Sequence, residues 1–262
     1  MRDSFSLAVI AAAAALTGLL SGCEPSTEKR VQWPVMGTVA AVNYDISREG
    51  DVAIIKRVFE LVEEKLSAHE PTSELSRLAK LSDDEILKMC DERMRPCYEA
   101  AFRFRDETNG AFNPRWRGKG TMDLGAIAKG FAIDLAASEV RASSKSSQGR
   151  LLIDLGGNLK SVCGSWRIGI VSPKDQASVA DELILDEGLS CATSAQYYRG
   201  RHIHDGKSGE ALPIDGVSVT VISPNSAMEA DALSTIAYIL KSEAGNWFKT
   251  NYPSVTLKVI EE

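Results

Sequence analysis

Apolar positions change their spacing partway along this chain. Ile55, Phe59, Val62 and Leu66 recur at helical intervals with charges between them, which predicts a helix over 51–66. Shorter patterns predict helices over 73–80 and 83–90, and a further helix over 97–108 stops at Asn109-Gly110. Before these, 31–44 is β-rich. After a helix over 126–141 and a polar linker at 143–149, the period shortens towards two. Strand-like stretches then cover 150–155, 158–163, 166–171, 182–186, 188–193, 201–204 and 216–223, divided by Gly, Pro, Asp and Ser. A helix over 226–240, a short one near 244–250 and a strand over 254–260 complete the pattern. Helices early, strands late and a closing helix predict an α+β fold with antiparallel or mixed sheets and packed helices.

The N-terminal pattern belongs to no globular fold. Arg2 precedes an uncharged apolar run from Phe5 to Leu20, then Ser-Gly-Cys23. That arrangement is expected of an export signal over 1–22. The cysteine after Ser-Gly is the expected lipid-bearing first residue of a mature lipoprotein anchored to a bacterial membrane. Residues 23–30 read as a polar tether and 31–262 as the folded domain. Loss of 1–22 removes Arg2 and Asp3 together, so the formal charge of −6 is unchanged. That balance argues against nucleic-acid binding, which wants a basic face. Cys90, Cys97, Cys163 and Cys191 remain; disulfides in an oxidising compartment and buried free thiols both fit. No Cys/His spacing points to zinc.

Two short runs carry most of the chemistry. Asp123-Leu-Gly-Ala-Ile-Ala-Lys129-Gly130 brings a carboxylate, two glycines and a lysine to a predicted helix start, where backbone N–H groups favour phosphate. Ala230-Asp-Ala-Leu-Ser-Thr235 places Asp231 and Thr235 four residues apart, on one helix face. Their oxygens suit a hard cation such as Mg²⁺, which takes few protein ligands beside substrate phosphates. Asp231 adds nothing to the apolar stripe of Met228, Leu233, Ile236, Ile239 and Leu240, and aspartate is mildly unfavourable inside a helix. Asp154-Leu-Gly-Gly157-Asn allows a sharp turn or close approach to a flat ring. His202, His204 and Asp205 form a polar group able to move a proton, or an exposed strand and turn.

Taken in order, these runs resemble the ApbE family of FAD:protein FMN transferases. The resemblance rests on Met36-Gly-Thr38, Ser67 to Ser76, Asp123 to Gly130, Asp154 to Asn158, Ala192-Thr-Ser194, His202 to Gly209 and Ala230 to Thr235, and spans about 31–260. It implies Mg²⁺ held by Asp231, Thr235 and the Ala126 carbonyl. It also implies flavin-nucleotide contacts from Met36, His69, Asp123 and Lys129, with Gly157 and His204 beside them. FAD would be the substrate, and the partner an exported redox protein whose threonine receives FMN as AMP departs. Lys129 would stabilise developing charge, and His202 or Asp205 would accept the hydroxyl proton.

The chain departs from the family pattern in several places. Nine residues separate Asn113 from Asp123, where the family usually carries a much longer insertion. His69 replaces a tyrosine, His204 an isoleucine, Ala195-Gln196 a Gly-Asp, and Gly206-Lys-Ser a Pro-x-Thr. A shortened cover leaves two alternatives open: a Mg²⁺-dependent FAD pyrophosphatase, or a lipoprotein that binds FAD without catalysis.

Overall fold

The computed structural model describes residues 28–143, 148–196 and 200–261. Strands β1 (Glu28–Val35) and β2 (Thr38–Asp45) form a hairpin, and α1 (Glu49–Leu66), α2 (Glu74–Leu78), α3 (Asp83–Met89) and α4 (Arg95–Glu107) follow. The chain continues through α5 (Ala128–Ser143), β3 (Leu151–Leu155), β4 (Asn158–Cys163), β5 (Trp166–Val171), β6 (Val179–Leu185), β7 (Ser190–Ala195) and β8 (Val217–Ser223). It closes with α6 (Ala227–Leu240), α7 (Ala244–Asn251) and β9 (Thr256–Glu261). The fold is α+β.

Seven strands form one sheet in the order β1-β2-β3-β4-β7-β8-β9, with every neighbouring pair antiparallel. The hairpin β5–β6 stands apart as a second, two-stranded sheet. Successive side chains alternate between faces of a strand, and the two apolar clusters follow that alternation. Leu151, Ile153, Leu155, Ala192, Val219 and Val221 face the helices. Leu152, Cys191 and Ile222 face the other way and pack on Trp166, Ile168 and Leu185 of the hairpin. Strand β3 is thus covered on both sides, which explains why all five of its residues are buried.

On the helical face, Ile55, Phe59, Val62 and Leu66 of α1 are buried as their spacing predicts. Helix α6 is more enclosed than an amphipathic stripe requires, since it packs against α5, β7, β8 and β4. Ser226 caps it by accepting from Glu229 N at 2.9 Å.

Two local expectations are corrected and one open alternative is decided. Residues 28–30 of the tether belong to β1, with Lys29 opposite Tyr44 and Arg30 opposite Asn43. Segment 201–204 forms no strand; only His204 pairs, in an isolated bridge to Ala211. Its alternating His-Ile-His reads as a strand, but a tight turn at Asp205, where Gly209 N donates to Asp205 O at 2.7 Å, ends the pairing. The described cysteines Cys90, Cys97, Cys163 and Cys191 are all free thiols, so no disulfide joins them. Cys23 and the 1–22 segment lie outside the described residues.

Candidate active site

Two hairpin turns lie side by side at one end of the sheet. Met36 and Gly37 connect β1 to β2 with φ of 51° and 64°, and Gly156 and Gly157 connect β3 to β4 with φ of 63° and 88°. Paired positive φ values suit two-residue hairpins because their twist matches that of the strands. Met36 bears a strained conformation for a non-glycine residue, held by its N–H donating to Glu63 Oε1 at 2.8 Å. Asp154 fixes the second turn by accepting from Gly157 N at 3.0 Å. Burial raises the Asp154 carboxyl to about 6, against the opposing pull of that hydrogen bond and of Arg30.

Beside these turns, Asp123 opens the approach to α5 by accepting from Gly125 N at 2.9 Å. Lys129 follows in the first turn of α5. Helices α5 and α6 grip each other through main-chain groups. Asp231 of α6, 4 % exposed, accepts from Gly130 N at 2.9 Å. In return, Asp134 of α5 accepts from Ala227 N at 3.0 Å and Met228 N at 2.8 Å, the first N–H groups of α6. Buried Lys160 of β4 braces the junction, 3.1 Å from Asp134 Oδ1 and 3.1 Å from Ser190 Oγ. The glycine at 130 is what permits this approach, because a Cβ there would stand 2.2 Å from Ala227 O.

The outcome is a cleft of ≈ 610 Å³ between the sheet end, the β5–β6 hairpin and the helices. Met36, His69, Asp123, Ala126, Lys129 and Gly157 line it, as do Asp231, Thr235, His202 and His204. Of the sequence candidates in the described residues, Asp205 stands outside this wall: its carboxylate accepts from Lys207 N at 2.7 Å and Ser208 N at 3.3 Å and holds a turn. His202 Nδ1 lies 2.8 Å from Gly200 O. A carbonyl only accepts, so Nδ1 carries the hydrogen and Nε2 is the nitrogen suited to take a proton.

The floor of the cleft has the donors a hard cation wants. Lys129 Nζ sits 3.4 Å from Asp231 Oδ1 and 2.7 Å from Gly125 O, so these oxygens already attract positive charge. Thr235, one turn beyond Asp231 on α6, has its Oγ1 3.2 Å from Ser194 Oγ on β7. Among the described residues no cluster of three or more His, Cys, Asp or Glu side chains has metal-holding geometry. One carboxylate with neutral oxygens fits Mg²⁺ better than a metal that requires a full protein cage.

At the cleft mouth the His204 imidazole stacks on Trp116, with ring centroids 3.7 Å apart and planes 16° from parallel. The Arg117 guanidinium lies 4.6 Å from the same indole centroid and pairs with Asp123 Oδ2 at 3.3 Å. Trp116, Arg117, Asp134 and Lys160 were not candidates from sequence. Asp134, like Asp231, is an aspartate inside an apolar helix, and the same signal marks both. No local pattern announces a stack between residues in two distant loops.

Comparison with known proteins bears on the fold and the family. The ApbE family model matches residues 116–257. An FAD:protein FMN transferase of Klebsiella pneumoniae is 35% identical over 132 residues, which cover 47% of this chain and 40% of that protein. One from Vibrio cholerae is 27% identical, with 87% of this chain and 86% of that protein aligned. The apo flavinyl transferase ApbE of Pseudomonas stutzeri superposes with a TM-score of 0.71 at 19% identity, covering 90% of this chain and 91% of its own. The apbE protein of Thermotoga maritima gives 0.70 at 21% identity, covering 90% and 97%. At these identities the solved structures establish the fold, and the family match spans more than half of the sequence: the chain belongs to the ApbE family.

Proposed function

We propose that this protein transfers FMN from FAD to a threonine hydroxyl of an exported acceptor protein, releasing AMP. The observation that carries the reading is the convergence of Lys129, Asp231 and Thr235 on the floor of one cleft, at the start of α5. Asp231, Thr235 and the Ala126 carbonyl would hold Mg²⁺, which when bound neutralises diphosphate charge and polarises phosphorus. The chain's own groups perform the rest. The start of α5 offers its dipole to the diphosphate, and Lys129 supplies a mobile positive charge where the displaced phosphate becomes more negative. His202 Nε2 accepts the proton of the attacking hydroxyl. Met36, Gly157 and His69 bound the walls within which the nucleotide is oriented.

The test is incubation of the protein with FAD and Mg²⁺, with and without an acceptor domain bearing a threonine. AMP release together with a mass increase of one FMN on the acceptor is expected, and both are lost in Asp231→Asn. AMP and free FMN formed equally well without acceptor would instead identify a pyrophosphatase. An intact nucleotide after long incubation would identify a binding protein. The sequence around Cys23 supports a lipid anchor on the exported chain, and Cys23→Ala should release the protein from the membrane fraction. Its persistence there would contradict the anchor.

A further inference from the structure

We infer that His204, backed by Trp116, is a ring-stacking platform for a planar heterocycle of the bound nucleotide; this rests on the FAD reading above. Both side chains line the cleft, and they meet face to face at 3.7 Å. An indole has two faces. A stack that close leaves no room for a guanidinium on the same side, so Arg117, 4.6 Å from the centroid, covers the other. Trp116 is therefore filled on both sides and acts as a support. The imidazole has only one face committed to Trp116, and it remains part-exposed in the cleft.

The support is anchored from below and beside. Arg115 donates to Ala79 O at 2.5 Å and Leu81 O at 2.8 Å, and pairs with Asp83 Oδ1 at 3.1 Å, which pins the loop that carries Trp116. Asn113 Nδ2 donates to Gly206 O at 3.1 Å, and Gly206 N donates to Ala111 O at 2.8 Å, which tie that loop to the one carrying His204. Glycine is required at the junction: a Cβ on Gly206 would stand 2.5 Å from Gly110 O and 2.5 Å from Asn113 Cβ. His204 Nδ1 donates to His202 O at 3.1 Å, which limits rotation of the ring. A flat group already held in place costs a ligand little ordering entropy when it stacks. His204 contacts the ligand in this scheme, and Trp116 is a positioning residue that acts through it.

The experiment is titration of the full chain with FAD, FMN and AMP, with Mg²⁺ present, by calorimetry. His204→Ala should weaken FAD binding about three- to ten-fold, the range of one aromatic stack. His204→Phe, which keeps a ring, should restore most of it. Trp116→Leu should weaken FAD binding in the wild-type background and add little on top of His204→Ala. FMN and AMP tested separately show which ring uses the platform, since only that one should share the loss. Wild-type affinity for all three ligands in His204→Ala would overturn the platform and leave the transferase reading standing. Failure of the wild-type chain to bind FAD at all would overturn both.

Discussion

Gly130→Ala sets two opposing effects of a methyl group against each other. Gly130 is the third residue of α5, where alanine is preferred over glycine by about 1 kcal/mol from helix propensity. Packing opposes this. The new Cβ would lie 2.2 Å from Ala227 O, 2.6 Å from the Ala227 carbonyl carbon and 2.7 Å from Met228 Cα. These are main-chain atoms at the start of α6, and no rotamer change moves them. Carbon contacts settle near 3.5–4.0 Å, so the two helices must part by roughly 1 Å. Overpacking of this kind costs about 1–3 kcal/mol, and the parting also stretches the bonds from Gly130 N to Asp231 and from Ala227 N and Met228 N to Asp134. The propensity gain leaves about 0–2 kcal/mol of this, and about 1 kcal/mol from weakened hydrogen bonds brings the expected net loss to about 1–3 kcal/mol, a fall in Tm of several degrees for a domain of this size. The functional loss should be larger in proportion, because a misplacement of about 1 Å in a catalytic constellation costs roughly a hundred-fold in rate. Urea unfolding followed by circular dichroism measures the first quantity and AMP release from FAD the second. A Gly130→Ala protein as stable and as active as the wild type would show that α5 and α6 do not rely on this contact.

Asp134→Ala strands buried Lys160 and leaves two N–H groups of α6 without their acceptor, so urea unfolding should show a loss of about 3–5 kcal/mol. Stability should fall as pH rises from about 4 to 6, because unfolded Asp154 releases its proton near the ordinary value while the folded carboxyl holds it to about 6; above pH 6 this contribution levels off. Asp154→Asn should remove that slope, worth on the order of 3 kcal/mol, and a wild-type slope unchanged by the substitution would contradict the assignment. Thiol titration of a chain lacking residues 1–27 should find four reactive groups only after denaturation. In the native protein half-buried Cys163 should react first and Cys97 and Cys191 last, since burial raises both thiols, Cys191 to about 12.

Much of the molecule could be read from residue patterns because local physics governs it. The α1 stripe and the turn glycines at 156 and 157 each depend on neighbours within a few residues. Strand β1 escaped in part because it is an edge strand, where Lys29 and Arg30 are solvated and read as tether. The exposed face of an edge carries no apolar alternation to detect. In the site, Asp231, Thr235 and Lys129 were legible from the chemistry of their short runs. Trp116 was not, and His204 stood out as a nucleotide contact but not as half of a stack: neither loop shows the other as its partner, and the packing of Gly206 against Gly110 and Ala111 brings the two together. Lys160 escaped for a related reason, since a lysine in a strand is ordinarily solvated and its burial depends on an acid from another element.

The paired helices have a consequence for how this sequence tolerates change over time. Asp134 and Asp231 each seize amide hydrogens, which every residue except proline supplies, so most substitutions at half-buried position 228 keep these bonds, whereas Ala227 is buried in the core and leaves no room for a larger side chain. What the contact requires is the two acids, their lysine brace, the missing methyl at 130 and a small residue at 227. Solvated neighbours are at liberty to drift while the oxygens of Asp231 and Thr235 keep their bearing.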